Sequence, residues 1–303
     1  MSKKKETFTS QIIGIVGLGL VGTALARRLR AAGFQTVGFD LRPEARQAFA
    51  AGGGTVVDSL RALGAAASCV VLAVFDSADV LAVVEGEGGL HDAPRMACII
   101  DCSTGTPDVL QVLAARLEQR GIGFIEAPLS GSSQQIAAGA ATLLLGGQAD
   151  ALRRYAAVLG AIAASQIHVG GAGMGAKAKL ATNLVLGLNR AVLAEGMVFA
   201  ESLGIAPAQF LALVLASPAT SGAAEAKGRM MVEGDFAPQS HIRQHLKDVN
   251  LMLELARASR QQLPLSKTHA ALMGAAVAAG EGDLDNAAII LEIRRQKALP
   301  ASD

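Results

Sequence analysis

The sequence predicts an α/β protein, in which a first part forms a mostly parallel sheet and a second part is helical. Between residues 12 and 167, short β-branched runs alternate with amphipathic stretches, as in repeated β-α-β units. Runs such as CVVLAV (69–74) are apolar throughout, which is typical of strands covered on both faces of a parallel sheet. From residue 172 onward every segment has a helical pattern. A chain of 303 residues is also long enough for two domains.

Eight runs are the strand candidates of the first part. They are IIGIV (12–16), QTVGF (35–39), GTVV (54–57), CVVLAV (69–74), ACIID (97–101), GFIEA (123–127), TLLL (142–145) and SQIHV (165–169). The predicted organisation is a flexible leader at 1–11, a first domain at 12–171 and a second at 172–303.

A long helix is expected to join the two domains. Residues 172–203 contain no proline and only two internal glycines, Gly187 and Gly196, so one helix of about 30 residues is predicted. Breaks at 205–207, 217–218, 234–235 and 263–264 separate the helices that follow.

Composition argues against several classes of partner. The 27 basic and 26 acidic residues leave a net charge of +1, which gives no field to recruit nucleic acid or an anionic membrane. Aromatic residues are 3% and tryptophan is absent, so stacking platforms for single strands are not expected. Apolar runs fall short of the roughly 20 residues of a membrane helix. The three cysteines, without CxxC spacing, favour a reducing cytoplasm over a disulfide framework.

The first chemical motif is the glycine-rich turn in IIGIVGLGLVGTALARRLRAAG (12–33), between a strand and an amphipathic helix. Gly17 permits a tight turn, Gly19 lets the backbone approach a pyrophosphate, and Gly22 lets the helix pack closely on the strand. The predicted cofactor-binding turn comprises Gly17, Leu18, Gly19, Leu20, Val21 and Gly22. In this context the motif predicts a Rossmann-like dinucleotide-binding domain.

Asp40 bears on the choice of dinucleotide. It ends the second strand candidate, 18 residues after Gly22, where an acidic side chain accepts the ribose hydroxyls of adenosine and repels a 2′-phosphate. NAD is therefore favoured. NADP remains possible, because the guanidinium of Arg42 could accommodate the phosphate or simply stack near the adenine.

Two polar turns follow other strands of the sheet. Ser103 and Thr104 come after ACII, at the edge where open α/β sheets bind ligands, although either hydroxyl could instead cap the helix that begins near residue 106. The SGSS turn follows GFIE, and its small residues could turn backbone N–H groups towards a carboxylate. A plain connecting loop is the alternative for this second turn.

The start of the long helix reads GAGMGAKAKLATN (171–183) and carries two lysines and an asparagine. Lys179 and Asn183 are four residues apart, so they share a helix face and can reach one small ligand. Lys177 is rotated about 200° from Lys179 and is expected to be solvated. The positive end of the helix dipole should disfavour the protonated ammonium of Lys179.

Taken together, the motifs make the chain similar to the β-hydroxyacid dehydrogenases, the family that contains 3-hydroxyisobutyrate dehydrogenase and tartronate semialdehyde reductase. The resemblance runs through nearly the whole chain. It rests on GLGLVG (17–22), DCSTGTP (101–107), EAPLSGSSQQIAAGAATLLLGG (126–147), GAGMGAKAKLATN (171–183) and LKDVNLMLELA (246–256).

The resemblance implies nicotinamide-dependent oxidation of a small hydroxy acid, or reduction of the matching semialdehyde, by a dimer or tetramer. It implies that Lys179 is the general acid–base. The substrate ligands that it implies are Ser103, Ser130, Gly131, Ser132 and Asn183. The further cofactor contacts that it implies are Val74, Phe75, Thr104 and Lys247.

Three other interpretations are weaker. Imine reductases share the two-domain plan but typically lack the lysine that stands here at Lys179. A catalytically silent dinucleotide-binding module should have lost that lysine or gained long basic linkers, and this chain has done neither. His241 and His245 have the i, i+4 spacing of metal ligands, but HIRQH has no adjacent glutamate and no obvious third ligand, so no metal is predicted.

Overall fold

The computed structural model describes residues 11–296 and divides into two compact units, with the boundary after Lys179. All of the predicted leader except Gln11 lies outside the described residues. The first unit contains a nine-stranded sheet within the described range. Its strands are β1 (Ile12–Val16), β2 (Gln35–Phe39), β3 (Thr55–Val56), β4 (Cys69–Leu72), β5 (Cys98–Asp101), β6 (Gly123–Glu126), β7 (Leu129–Ser130), β8 (Thr142–Gly147) and β9 (Ser165–Gly170).

The sheet is mostly parallel, as the sequence predicts. Its order is β3-β2-β1-β4-β5-β6-β8-β7, with β9 paired to β8. Every pair from β3 to β6 is parallel, β8 is antiparallel to both β6 and β7, and β9 is parallel to β8. All eight predicted strands are present. The ninth, β7, was not predicted because two residues are too short to form a pattern.

Helices cover both faces of this sheet. They are α1 (Leu20–Ala31), α2 (Pro43–Ala51), α3 (Leu60–Ala66), α4 (Ser77–Glu85), α5 (Pro107–Gln119), α6 (Ser133–Ala138), α7 (Ala149–Arg154) and α8 (Ala156–Ile162), with a 3-10 turn at Leu90–Asp92. Successive residues of β5 face opposite sides, since Ile99 belongs to the apolar cluster that contains Leu63 and Leu113, whereas Ile100 belongs to the cluster that contains Leu25 and Leu143. Burial on both faces explains why the strands are continuously apolar.

The long helix α9 (Met174–Ser202) has 29 residues, close to the predicted length, and the boundary between the units falls within it. The second unit continues with α10 (Pro207–Leu215), α11 (Gly222–Glu233), α12 (Ile242–Ala258), α13 (Pro264–Ala278), a 3-10 turn (Asn286–Ala288) and α14 (Ile289–Arg295). Prolines and a glycine determine where several of these helices begin or end. Pro207 and Pro264 occupy first turns, where a missing N–H costs nothing, and Gly234 ends α11 in the left-handed region with φ of 69°.

The helical unit has its own apolar core, which includes Met197, Met231, Ile242, Met273 and Ile290. Helix α9 is long and apolar enough to cross a membrane by length and composition, and it is the one such helix among residues 11–296. It is better interpreted as a core helix, because three of its polar side chains, Lys179, Asn183 and Arg190, are buried within the protein.

Candidate active site

The glycine-rich turn has the close approaches that its sequence predicts. Gly17 adopts φ of 88°, and a Cβ there would lie 2.2 Å from the carbonyl oxygen of Ala73. A Cβ on Gly22 would lie 1.8 Å from the carbonyl oxygen of Gly17. A Cβ on Gly19 would meet only the guanidinium of Arg42, 3.9 Å away. The outer side of the turn is therefore open where a pyrophosphate would approach, and the turn fits a dinucleotide.

Asp40 lies at the end of β2 beside this turn and is 7% exposed. Its Oδ2 accepts from the backbone N–H of Leu18 at 2.8 Å, and Arg42 donates to both carboxylate oxygens at 3.1 Å. Burial raises the pKa of Asp40, but the hydrogen bonds from Arg42 and Leu18 lower it by more, so the pKa lies below its ordinary value. Asp40 is thus an ionised carboxylate at neutral pH.

The turn after β5 is hydrogen-bonded to the turn after β4. Ser103 is buried, its N–H donates to Asp101 Oδ1 at 2.9 Å, and its hydroxyl accepts from the N–H of Val74 at 3.1 Å. Helix α5 has no side-chain cap at its N-cap residue, Thr106, so the capping role considered for Ser103 is not observed. Thr104 is also buried, and Phe75 is exposed.

The turn at Ser130, Gly131 and Ser132 begins at the last residue of β7 and leads into α6. Gly131 adopts φ of 150°, which favours glycine. Ser132 forms a capping box with Gln135, in which its hydroxyl accepts from the Gln135 N–H at 3.3 Å and its own N–H donates to Gln135 Oε1 at 2.8 Å. The Ser132 amide is therefore already bonded within the turn. The spacing of serine and glutamine is a sequence signature that could have identified this box.

Glu126 fixes the start of α9 on the sheet. This buried carboxylate, at the end of β6, accepts hydrogen bonds from the N–H of Gly173 and, at 2.7 Å, from the N–H of Ala176. Burial raises the pKa of Glu126 and outweighs the two amide bonds, which lower it. A Cβ on Gly175 would lie 2.8 Å from the Glu126 Cβ, so glycine is required for this close approach. No local sequence pattern indicates this role of Glu126.

Lys179 comes within the second turn of α9 and is 9% exposed. Its Nζ donates to the carbonyl oxygen of Leu129, in β7, at 2.5 Å. Lys177 is exposed, as its rotation around the helix predicts. Lys179 is therefore buried next to β7, the strand that leads to the turn at Ser130, whereas Lys177 is in solvent.

In the helical unit, Asn183 is 6% exposed and donates from Nδ2 to Asp248 Oδ2 at 3.1 Å. Lys247 forms an ion pair with the same carboxylate, with Nζ 3.1 Å from Oδ1. Asp248 is more than a local partner of Lys247, because it is 5% exposed and orients Asn183 as well. It lies on the buried face of α12, together with His245, Val249 and Met252, and this periodicity could have revealed it.

The two histidines considered as metal ligands do not converge. His241 Nδ1 contacts the carbonyl oxygen of Asp283 at 2.7 Å, whereas the ring of His245 packs against His269 with centroids 5.3 Å apart. Within residues 11–296, no three side chains of histidine, cysteine, aspartate or glutamate are grouped as metal ligands.

Two protein-family models match this chain. The NAD binding domain of 6-phosphogluconate dehydrogenase matches residues 12–171, and the NAD-binding region of NADP-dependent 3-hydroxyisobutyrate dehydrogenase matches residues 173–293. Among curated relatives, L-threonate dehydrogenase of Cupriavidus necator is 32% identical over 283 residues, which cover 93% of this chain and 95% of the relative.

Solved structures agree with these matches. That of 3-hydroxyisobutyrate dehydrogenase from Salmonella typhimurium has a TM-score of 0.84 and 30% identity, and covers 93% of this chain and 99% of its own. An imine reductase from Pseudomonas sp. has a TM-score of 0.61 and 21% identity, with coverage of 94% and 99%, and is similar in fold alone.

Proposed function

The chain belongs to the β-hydroxyacid dehydrogenase family, and we propose that within it Lys179 is the general acid–base and NAD the preferred cofactor. The protein is an NAD(P)-dependent oxidoreductase that acts on the CH–OH group of a hydroxy acid or reduces the corresponding semialdehyde. The burial of Lys179 beside β7, while Lys177 remains in solvent, carries the assignment of the catalytic group.

The chemistry follows from where each group lies. When bound, the nicotinamide accepts or returns the hydride. Neutral Lys179 would take the hydroxyl proton as the carbonyl forms, and its ammonium would return that proton in the reductive direction. The carbonyl of Leu129 orients Nζ for this exchange. Asn183, held by Asp248, would orient the reacting oxygen one helical turn further along α9.

The other assigned residues divide between cofactor and substrate. We propose that the turn at 17–22 and Asp40 hold the adenosine half of the dinucleotide, and that residues around Val74 and Ser103 border its nicotinamide end. The support is that Ser103 and Val74 are joined at the carboxyl edge of β4 and β5, where parallel sheets bind ligands. The turn at Ser130, Gly131 and Ser132 and the ammonium of Lys247 are proposed to contact substrate and cofactor, respectively.

The test is an assay of hydride transfer at 340 nm with a panel of short hydroxy acids, comparing the wild type with Lys179→Ala and Lys177→Ala. We expect Lys179→Ala to lower kcat/KM by at least about 100-fold, the scale of general acid–base catalysis, while NADH still binds. Lys177→Ala is the matched control, because it removes an exposed lysine from the same helix. Equal rates in the wild type and Lys179→Ala would refute the assignment.

The preference for NAD rests on Asp40. Its carboxylate is ionised and faces the glycine-rich turn, where the negative charge would repel a 2′-phosphate. The guanidinium of Arg42 is engaged by that carboxylate, although its side chain is 58% exposed. A guanidinium paired in this way is less available to a phosphate than a free one.

Homo-oligomerisation is proposed from an apolar stripe on α9. Val185, Val192 and Phe199 follow one another at seven-residue spacing and are 56%, 66% and 65% exposed. Such a stripe is the pattern by which helices pack against copies of themselves. Light scattering after size-exclusion chromatography should show a dimer or tetramer, and Val192→Glu should shift it towards monomer. A monomeric wild type would refute this proposal.

A cytoplasmic location is proposed from the cysteines. Cys69, Cys98 and Cys102 are all buried free thiols. Cys69 and Cys98 form no disulfide although they lie opposite each other on the neighbouring strands β4 and β5. A hydrogen bond with the Cys69 sulfur, and burial after it, raise the pKa of Cys98, so it remains a thiol. Unpaired thiols at this proximity are typical of a reducing compartment.

A further inference from the structure

Glu126 contacts the start of α9 on the helix face that carries Lys179. Its two carboxylate oxygens accept from separate backbone amides, Oε1 from Gly173 and Oε2 from Ala176. Gly175 lies closest to it, since a Cβ there would be 2.8 Å from the Glu126 Cβ. Lys179 follows Gly175 by four residues and Ala176 by three, so the three share one face of the helix. Glu126 therefore supports the turn of α9 that precedes Lys179.

The segment that follows Glu126 binds the lysine itself. Leu129 comes three residues after Glu126, and its carbonyl oxygen accepts from Lys179 Nζ at 2.5 Å. Residues 126–129 thus bind α9 at two points, the backbone amides at its start and the amino group of Lys179. Long side chains on a helix lean towards its N-terminus, which brings Nζ back towards this segment. Movement of the helix start relative to β6 would therefore move Nζ relative to the Leu129 carbonyl.

Glu126 supplies the cap that the residues before α9 cannot. The first backbone N–H groups of a helix have no acceptor within the helix, and a serine, threonine, asparagine or aspartate at the N-cap usually provides one. Residues 170–173 read GGAG and carry no side-chain oxygen. The acceptor comes instead from β6, and Glu126 is only 1% exposed. A carboxylate here also places negative charge at the positive end of the helix dipole.

Two charged groups act on Glu126 from neighbouring elements. Burial raises the pKa of Glu126, the two amide hydrogen bonds lower it, and smaller effects come from Asp101, which raises it, and Lys177, which lowers it. Asp101 lies opposite Glu126 in the register of β5 and β6 and accepts from the N–H of Ser103 at 2.9 Å. Strand β8, on the other side of β6, contains no titratable residue. The two carboxylates thus hold the turn at Ser103 and the start of α9 side by side.

We propose that Glu126 is a positioning residue, which fixes Lys179 Nζ where it exchanges a proton with the substrate. It acts through the backbone of α9, whose start it holds against the end of β6. Its negative charge also favours the ammonium form of Lys179, against the effect of the helix dipole. This inference rests on the proposed function, since it takes Lys179 to be the general acid–base.

The kinetic test uses Glu126→Gln and Glu126→Asp, with whichever of threonate, 3-hydroxyisobutyrate and glycerate the wild type oxidises fastest. Glutamine keeps the shape but turns an NH₂ group towards one of the two N–H donors, so one hydrogen bond is lost. We expect kcat/KM on the alkaline plateau to fall about 10- to 100-fold, because misplacement of a reacting group by about 1 Å can cost a factor of about 100. Aspartate keeps the charge but is too short to reach both amides, so it should also lower kcat/KM. NADH affinity, measured by fluorescence, should not change.

The pH profile separates this role from a general loss of folded enzyme. Oxidation needs neutral Lys179, so kcat/KM falls on the acid side as the ammonium forms. Without the charge of Glu126 the ammonium is less favoured, and we expect the midpoint of this acid limb to lie at lower pH in Glu126→Gln than in the wild type. Glu126→Asp, which keeps the charge, should shift the midpoint less. The midpoint does not depend on the fraction of folded protein, so poor folding of a variant cannot produce the shift.

Glu118→Gln is the matched control, because it removes the same charge from an exposed position on α5 and should change neither kcat/KM nor the midpoint. Wild-type kcat/KM in Glu126→Gln, or a lowered kcat/KM with the wild-type midpoint, would overturn the inference. Loss of activity in Lys179→Ala together with an unaltered Glu126→Gln would refute the inference and leave the proposed function standing. Full activity in Lys179→Ala would refute the proposed function itself, so the two failures are distinguishable.

Discussion

Asn183 on α9 donates from Nδ2 to Asp248 Oδ2 on α12 at 3.1 Å, and both side chains are buried. The bond determines which end of the Asn183 amide is occupied. With Nδ2 bonded to a carboxylate, the carbonyl Oδ1 is the end that can accept from a substrate hydroxyl. Asp248 is thus a positioning residue for a side chain that we assign to the substrate.

Removal of Asp248 should lower activity through Asn183. We expect Asp248→Ala to reduce kcat/KM by about 10- to 100-fold, since loss of an orienting partner of a ligand-binding group has effects of this size. Asp248→Asn, which keeps a hydrogen-bond acceptor of the same shape, should recover part of the loss. Steady-state kinetics with each variant would measure this. Asp283→Ala is the control, because its side chain is 74% exposed and pairs only with Arg243 among the residues described. Comparable losses in Asp248→Ala and Asp283→Ala would contradict the positioning role.

Asp40 should determine the choice of dinucleotide. We expect Asp40→Ala to weaken NADH binding by about 10-fold or more, through loss of charge-assisted hydrogen bonds, and to strengthen NADPH binding relative to it. Because the pKa of Asp40 is lowered, its carboxylate stays ionised and the discrimination should persist in mildly acidic solution. Titration of each variant by NADH and NADPH fluorescence would measure both affinities.

Arg42→Ala provides the comparison for Asp40. If NAD is the natural cofactor, this change should alter NADH affinity by only a few-fold. A large loss of NADPH binding in Arg42→Ala, with NADPH already preferred by the wild type, would instead identify an NADP enzyme.

Substitution by alanine should have opposite effects on the stability of the protein at Gly187 and at Gly274. Gly187→Ala is expected to destabilise the protein by about 1–3 kcal/mol, because the added Cβ would overlap two packed imidazoles that cannot both move away. A Cβ at Gly274, inside α13, would meet nothing within 4 Å. Gly274→Ala should therefore stabilise by about 0.5–1 kcal/mol through helix propensity. Urea unfolding of both variants gives the sign, and destabilisation by Gly274→Ala would contradict the packing described.

His269 should make stability depend on pH. Its pKa is about 4 in the folded protein, because of burial first and the charge of Arg190 second, against an ordinary value near 6.5. The unfolded chain therefore binds a proton that the folded chain excludes, so stability rises with pH between about 4 and 6.5 and is lost on acidification. This shift corresponds to at most about 3 kcal/mol.

His269→Gln removes the titrating group and keeps a polar side chain. Between pH 5 and 7.5, the slope of unfolding free energy against pH should be smaller in this variant than in the wild type. Arg190→Met should reduce the slope less, since burial of His269 remains. Identical slopes in the wild type and His269→Gln would show that His269 does not exclude a proton in the folded state.

Much of the fold was predictable because its signals are local. Strand β1 has the predicted bounds, and α9 begins and ends within a few residues of the predicted helix. Apolar runs report burial on both faces, and prolines and glycines mark helix ends. Strand β7 and the reversed direction of β8 were not predicted, because the direction of a strand depends on its partners.

The candidate site, like the fold, was predictable only where its signals are local in the sequence. Spacing alone indicated the glycine-rich turn, Asp40, and the shared face of Lys179 and Asn183. It could not show that Glu126 binds the amides at the start of α9, about 50 residues further along, or that the Ser132 amide is bonded within its own turn.

By itself, the sequence determined a dinucleotide turn and a helix that carries a lysine and an asparagine on one face, because these patterns depend on neighbours a few residues apart. Only the tertiary structure decided which charges are buried and which partners they have. Asp248 is a buried orienting group, Lys227 is a buried cation paired with Asp285, and Arg190 is a buried cation that feels the charge of Asp285 only through space. The physical reason is that desolvation and charge pairing depend on packing between segments far apart in the chain, which periodicity cannot encode.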